Sequence, residues 1–227
     1  MRKKALFSLF YVLFSVAVMA GQARNTELVD VPTANTLLGG EIRIDFKFSP
    51  GGGILSRIFV GIFDRLYVGG AFNVENVIGS GDISPDLPPN LLAKIRITDD
   101  DAAVPAVSLG YDGQGYMNVP AKGLFLAVTK EVRAGIITQL TVEASTNNFT
   151  EFGKDIDMGA GLAFAITKEL SVCFEIDSML RQGRGRASFG IGYFFDPIEI
   201  SIGCKFGYGN GEYAQSRMLK VAYISYF

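Results

Sequence analysis

Histidine does not occur anywhere in the 227 residues. Hydrolases and acyltransferases usually rely on its imidazole as general base, because its pKa lies near the working pH, so a serine or aspartate nucleophile here would need a lysine or a second carboxylate as partner. Cysteine is nearly absent as well. Cys173 and Cys204 are the two in the chain, and none lies near residues 20–24, so a lipid-anchored amino terminus is not expected. Beyond the first twenty residues no apolar run approaches 18, although 48% of the residues are apolar and mean hydropathy is +0.27. A helical membrane protein is therefore excluded. An excess of basic charge is also missing. The formal net charge is −2, and residues 1–23 hold three of the basic residues, leaving 18 basic against 23 acidic in the remainder. Nucleic acid is not expected as a partner, because phosphate binding needs a basic face.

What is present begins with Arg2-Lys3-Lys4, an apolar run from Ala5 to Ala20, and small residues at positions suited to cleavage. Residues 1–23 read as a secretory signal peptide. Residues 24–39 are then expected as a periplasmic amino-terminal segment, and 40–227 as one domain.

That domain alternates. In Glu41-Ile-Arg-Ile-Asp-Phe-Lys-Phe48, Ile42, Ile44, Phe46 and Phe48 share one face, while Glu41, Arg43, Asp45 and Lys47 share the other. A strand gives this period of two; a helix would spread the charges around its circumference. The same pattern sets Lys94 and Arg96 opposite Ala93, Ile95 and Ile97. It recurs over 155–166, where Asp155 and Asp157 face away from the large apolar side chains. Continued along the chain, the template predicts about twelve strands, near 40–48, 54–63, 66–77, 91–98, 104–111, 122–130, 133–145, 155–166, 169–178, 186–195, 198–208 and 217–227. Tight connections (Asp64-Arg65, Glu131-Val132, Thr167-Lys168, Asp196-Pro197) alternate with long ones rich in Gly, Pro, Asn and Asp, and the first connection, Ser49 to Gly53, is the exception.

Short turns alternating with long loops indicate an all-β, antiparallel, up-and-down transmembrane β-barrel of about twelve strands in a bacterial outer membrane, with lipid against its apolar face. A soluble β-sandwich also alternates, but its polar face would be solvated. Here that face carries many small residues, among them Gly69, Gly159, Gly161, Gly190 and Gly203. They suit a crowded inner wall.

The lumen-lining candidates are Arg43, Asp45, Lys47, Arg57, Lys94, Arg96, Asp155, Asp157, Glu175, Asp177, Arg186, Glu199 and Lys205. In a water-filled barrel they would line a passage and set its selectivity. They would equally serve to pair across the lumen and fill it, because twelve strands make a narrow barrel beside the 16–18 of porins with an aqueous channel. Asp155 with Asp157, and Glu175 with Asp177, share a side of their strands, but a solvated lumen produces the same spacing, and neither an enzyme nor a cofactor is expected. The Asp99-Asp100-Asp101 turn lacks calcium-loop spacing and reads as a solvated acidic turn; no metal site is expected. Cys173 falls on the polar face of its strand and Cys204 on the apolar face of another, so two free thiols are expected.

The last strand, Leu219 to Phe227, resembles the closing strand of outer-membrane barrels, which ends in a phenylalanine read by the barrel assembly machinery. Tyr223 and Phe227 take the signal positions, and Ser225 is the departure. Val29–Leu37, Val60–Leu66, Pro105–Gly115 and Lys122–Lys130 resemble segments of the YjbH-like outer-membrane barrels, a family associated with exopolysaccharide production. This chain is shorter and lacks that family's lipoprotein cysteine. The resemblance implies a small pore or export channel linked to envelope polysaccharide and its export components. The alternative is a structural barrel with a plugged lumen that binds another envelope component.

Overall fold

The computed structural model describes residues 25–116, 121–134, 136–146, 156–180, 185–208 and 215–227. The lumen candidate Asp155 lies outside these residues. The strands are β1 (Glu41–Phe48), β2 (Ile54–Phe63), β3 (Leu66–Glu75), β4 (Ser84–Pro85), β5 (Asn90–Thr98), β6 (Ala106–Asp112), β7 (Gly123–Ala134), β8 (Ile136–Thr146), β9 (Ile156–Ala165), β10 (Leu170–Asp177), β11 (Gly185–Phe195), β12 (Ile198–Tyr208) and β13 (Ser216–Tyr226). Each wall strand pairs antiparallel with its neighbours in sequence. β1 also pairs with β13, Glu41 opposite Tyr226 and Phe48 opposite Leu219, and this closes a twelve-stranded barrel. The two-residue β4 is not a wall strand. It folds back from the long 76–89 loop and continues the ladder on β3 above the end of β5.

Closure leaves no open sheet edge, which a strand protein in hydrocarbon requires, since lipid offers nothing to an unpaired N–H or C=O. The wall strands run 7 to 12 residues, bracketing the ~9–11 that tilted strands need to cross a bilayer.

The two faces are inverted relative to a soluble protein. Arg43 and Lys94 are 2% and 1% exposed, whereas Ile202 and Phe174 are 59% and 48% exposed. Isoleucine, leucine, valine and phenylalanine cover the outside of the wall on nearly every strand, an apolar surface far beyond the few hundred Å² a soluble monomer tolerates. No helix among the described residues is long and apolar enough to cross a membrane, which says nothing against crossing by strands.

One turn differs from its sequence position. Glu131 and Val132, expected as a tight connection, remain in β7, opposite Gln139 and Thr138, and pairing continues to Ala134 opposite Ile136. The ladder gains further bonds by extending past the apolar band, where Val132 and Arg133 are both exposed. Phe227 closes the wall on the short-turn side: its N–H donates to the Gly40 carbonyl at 3.0 Å, and its ring is exposed beyond Tyr223.

Candidate functional site

The segment expected to lie outside the barrel is inside it. Residues 26–37 are buried apart from the half-buried Glu27 and Asn35. This corrects the reading of 24–39 as a periplasmic extension, and the reason is compositional: Leu28, Val29, Val31, Ala34 and Leu37 are too apolar for a solvated linker.

The chain enters at the short-turn rim. Gly39 N–H donates to Asp64 Oδ1 at 3.0 Å, Gly40 N–H to the Gly61 carbonyl at 2.9 Å, and Thr36 Oγ1 to the Asp64 carbonyl at 3.1 Å. Followed from Gly40 back toward residue 25, it rises through the lumen, turns at Val29-Asp30 and comes back down. Leu28 N–H to the Val31 carbonyl (2.9 Å) and Thr33 N–H to the Thr26 carbonyl (3.0 Å) tie the two arms, and Glu27 bridges Pro32. The returning arm ends beside its starting level, where the Asn25 carbonyl accepts from Thr33 Oγ1 at 2.6 Å. The result is a hairpin plug whose tip points toward the long loops.

A hairpin inside a barrel has backbone groups that no ladder satisfies, so the wall side chains must supply partners. They do so one by one. The Glu175 carboxylate accepts the successive N–H groups of Val29, Asp30 and Val31 at 2.9 to 3.0 Å. Lys94 spends its three ammonium donors on the carbonyls of Thr26, Thr33 and Asn35, at 2.8, 2.9 and 3.1 Å. Thr129 Oγ1 accepts from Ala34 N–H at 2.8 Å. Lys47 donates to the Val29 carbonyl at 2.9 Å.

The two plug carboxylates are paired as well. Glu27 takes a double contact from Arg57 (2.5 and 2.8 Å) and one from Lys47 at 2.9 Å. Asp30 sits between Lys205 at 2.5 Å, Lys47 at 3.5 Å and the hydroxyl of Tyr116, which reaches in from the β6–β7 loop. Buried ions held this way add little net stability, but removing one partner strands a charge at a cost of ~3–5 kcal/mol.

The glycines of the inner wall make room for this hairpin. A Cβ on Gly61 would stand 1.8 Å from the Leu38 carbonyl oxygen, and one on Gly161 2.3 Å from Leu28 Cδ1. One on Gly159 would meet Val31 at 3.0 Å, and those on Gly190 and Gly203 would meet Val29 at 3.0 and 3.3 Å. Among the described residues, cavities of about 30 and 20 Å³ lie beside the plug, each with room for a water or two.

The remaining wall charges pair with one another. Asp45 holds Arg57 at 2.7 Å, and Glu199 holds Arg43 and Lys220, both at 2.9 Å. Lys122 joins Glu143 (2.7 Å) to Asp177, which also takes Arg186 at 2.5 Å. Asp157, buried, accepts from Met158 N–H at 2.8 Å and Leu180 N–H at 3.3 Å. Arg96 lies at the short-turn rim, half-buried, against Asp99 at 3.0 Å and the Asp64 carbonyl. The acidic turn is internally engaged. Asp99 also meets Arg65, Asp100 meets Lys130 at 2.8 Å, and Asp101 accepts the N–H groups of Val104 and Ala103, which hold its carboxyl below the usual range. No group of side chains suited to a metal occurs among the described residues.

Cys173 and Cys204 are free thiols on opposite faces, Cys173 packed against Leu28, Val31 and Ala163.

Sequence reasoning missed Glu27 and Asp30, which it placed outside, Tyr116, which it left in a loop, and Lys122, which it set at the start of a strand without naming it for the lumen; the strand itself begins at Gly123. The signal was there in the apolar residues between 28 and 37 and the row of inward glycines.

No protein-family model and no curated protein matches the sequence. Among solved structures the chain is similar to the KdgM porin, at 11% identity and a TM-score of 0.55, covering 82% of this chain and 99% of that one. The fold is a porin-like barrel. The NanC porin aligns over 82% of this chain and 99% of its own at 8% identity, with a TM-score of 0.42.

Proposed function

We propose that this protein is an outer-membrane pore held closed by its own amino-terminal hairpin, which leaves and re-enters the lumen from the periplasmic, short-turn end. One observation carries the reading: above its base at residues 38–40, where Gly40 N–H meets the Gly61 carbonyl, the hairpin over 26–37 is held to the wall among the described residues by side-chain hydrogen bonds and packing, with no backbone-to-backbone bond. Wall and plug share no strand ladder, so the hairpin has a route out that leaves the barrel's hydrogen bonding whole. An apolar outer band, a charged inner wall and likeness in fold to a porin support the membrane and pore parts of it. Traffic of envelope polysaccharide is the finer assignment, supported by the resemblance of four segments to YjbH-like barrels.

A second reading is favoured by the small cavities. In it the plug never leaves, and the barrel is a scaffold that binds another envelope component by its loops or turns.

Val29→Cys separates the two. The Val29 side chain and the Cys173 thiol flank the same space above Gly190, 3.0 and 2.7 Å from where its Cβ would be. Oxidation of this variant is expected to join residue 29 to Cys173, seen as a loss of two hydrogens by mass. Single-channel recording should then show brief openings in the reduced form and none in the oxidised form. Equal currents in both forms would sink the withdrawable plug.

The assembly machinery is proposed to read the last strand through Tyr223 and Phe227. Deletion of Phe227 is expected to lower the amount of barrel in the membrane fraction while processed protein still reaches the periplasm.

A further inference from the structure

Asp30 is held in a way that a plug has no need of. Backbone contacts to Glu175, Lys94, Lys47 and Thr129 already fix the hairpin. Yet Lys205 donates to one oxygen of Asp30 at 2.5 Å, while Lys47 at 3.5 Å and the Tyr116 hydroxyl address the other. Lys205 also donates to the Tyr116 oxygen at 2.5 Å, which turns the phenol hydrogen toward the carboxylate. The two ammonium groups stand over the Tyr116 ring, 4.6 and 5.2 Å from its centre, so all three groups support one another. They come from three parts of the chain: Lys47 from the loop end of β1, Lys205 from the loop end of β12, and Tyr116 from the β6–β7 loop. The clasp therefore faces the side from which an external solute arrives. A cavity of about 20 Å³ adjoins it, lined by Asp30, Lys47, Gln114 and Tyr116.

We propose that Lys47, Lys205 and Tyr116 form a binding site for a carboxylate-bearing solute, and that Asp30 is its resident stand-in. A solute entering from the long loops takes the clasp, Asp30 loses its partners, and the hairpin tip is freed. This rests on the gated-pore reading and adds to it the class of ligand that opens the pore. Two point-like ammonium groups and one hydroxyl donor converging on two oxygens match a carboxylate. A neutral sugar brings no charge to compensate the lysines once Asp30 is gone.

The adjoining cavity is too small for a sugar acid, so binding requires the hairpin tip to move, and the stand-in competes with the ligand. Weakening the stand-in must then tighten ligand binding. Calorimetric titration of the folded full chain with glucuronate, and with glucose as the neutral control, tests this. Asp30→Asn is expected to bind glucuronate at least about ten-fold more tightly than the unmodified protein. Asp30→Asn combined with Lys205→Met, which removes both buried charges together, is expected to lose that gain. Glucose should bind none of the three. Equal affinity in the unmodified protein and Asp30→Asn, retention of the gain without Lys205, or equal binding of glucose would overturn the proposal. Each of these outcomes is independent of conductance, so a silent barrel and a failed clasp are told apart.

Discussion

Removing residues 25–38 is expected to turn a mostly closed barrel into one that conducts steadily. The hairpin fills the lumen of a wall whose ladder is complete without it, from β1–β2 around to β13–β1. A twelve-stranded barrel lies between the eight strands that side chains fill and the sixteen or more that leave an aqueous channel. With the hairpin gone, its volume passes to water, Lys47 and Lys205 lose Glu27 and Asp30 as partners and become free to meet ions, and Arg57 keeps only Asp45. Mean current in planar bilayers at fixed voltage is expected to rise by at least about ten-fold over the full chain. Heat-modifiable mobility on gels reports whether the shortened barrel has folded. A folded, membrane-inserted barrel that still passes no current would overturn the pore and leave the scaffold reading standing.

The second large effect is expected at a single residue. Glu175→Ala deletes the acceptor of three successive plug N–H groups, and among the described residues the hydrogen bonds of the Glu175 carboxylate all go to the plug. A buried N–H left without a partner costs ~1–3 kcal/mol. Water entering the vacated space recovers part of that, so the plugged state should lose about 3 kcal/mol in all. At about 1.4 kcal/mol per factor of ten, the open fraction should rise by roughly two orders of magnitude. Glu175→Gln keeps one acceptor oxygen and should fall between. The barrel itself should retain its heat-modifiable mobility, because the wall ladder around residue 175, Glu175 opposite Ser188 and Gly161, is backbone to backbone. An open probability unchanged in both variants would show that the three N–H groups do not hold the hairpin.

The wall was legible in the sequence because period two leaves a trace at every residue. Arg43, Asp45 and Lys47 alternate with Ile42, Ile44 and Phe46, and such a pattern has one physical reading once the run is long enough. Strand ends were less legible. At Glu131-Val132 a polar pair looked like a turn, but cross-strand pairing carries β7 on to Ala134, and pairing partners are invisible to a local reading. The path and contacts of the plug were illegible for a related reason, although its apolar composition was not. Residues 25–38 have no period, since their backbone is satisfied by side chains more than a hundred residues away in the case of Glu175. The glycines at 159, 161, 190 and 203 did signal crowding on the inner wall. What crowds them is Leu28, Val29 and Val31, and nothing in the spacing of the glycines names these three.

Between Asn25 and Leu38 the hairpin carries two charged side chains, Glu27 and Asp30, both acidic. Its withdrawal is therefore an electrical event as well as a steric one. Drawing those carboxylates toward the short-turn side moves negative charge along the barrel axis, and charge carried across a full membrane field exchanges about 2.3 kcal/mol per unit for each 100 mV. The same fourteen residues that obstruct the passage thus act as gating charge, so the polarity of an applied voltage bears on which state of the barrel is occupied.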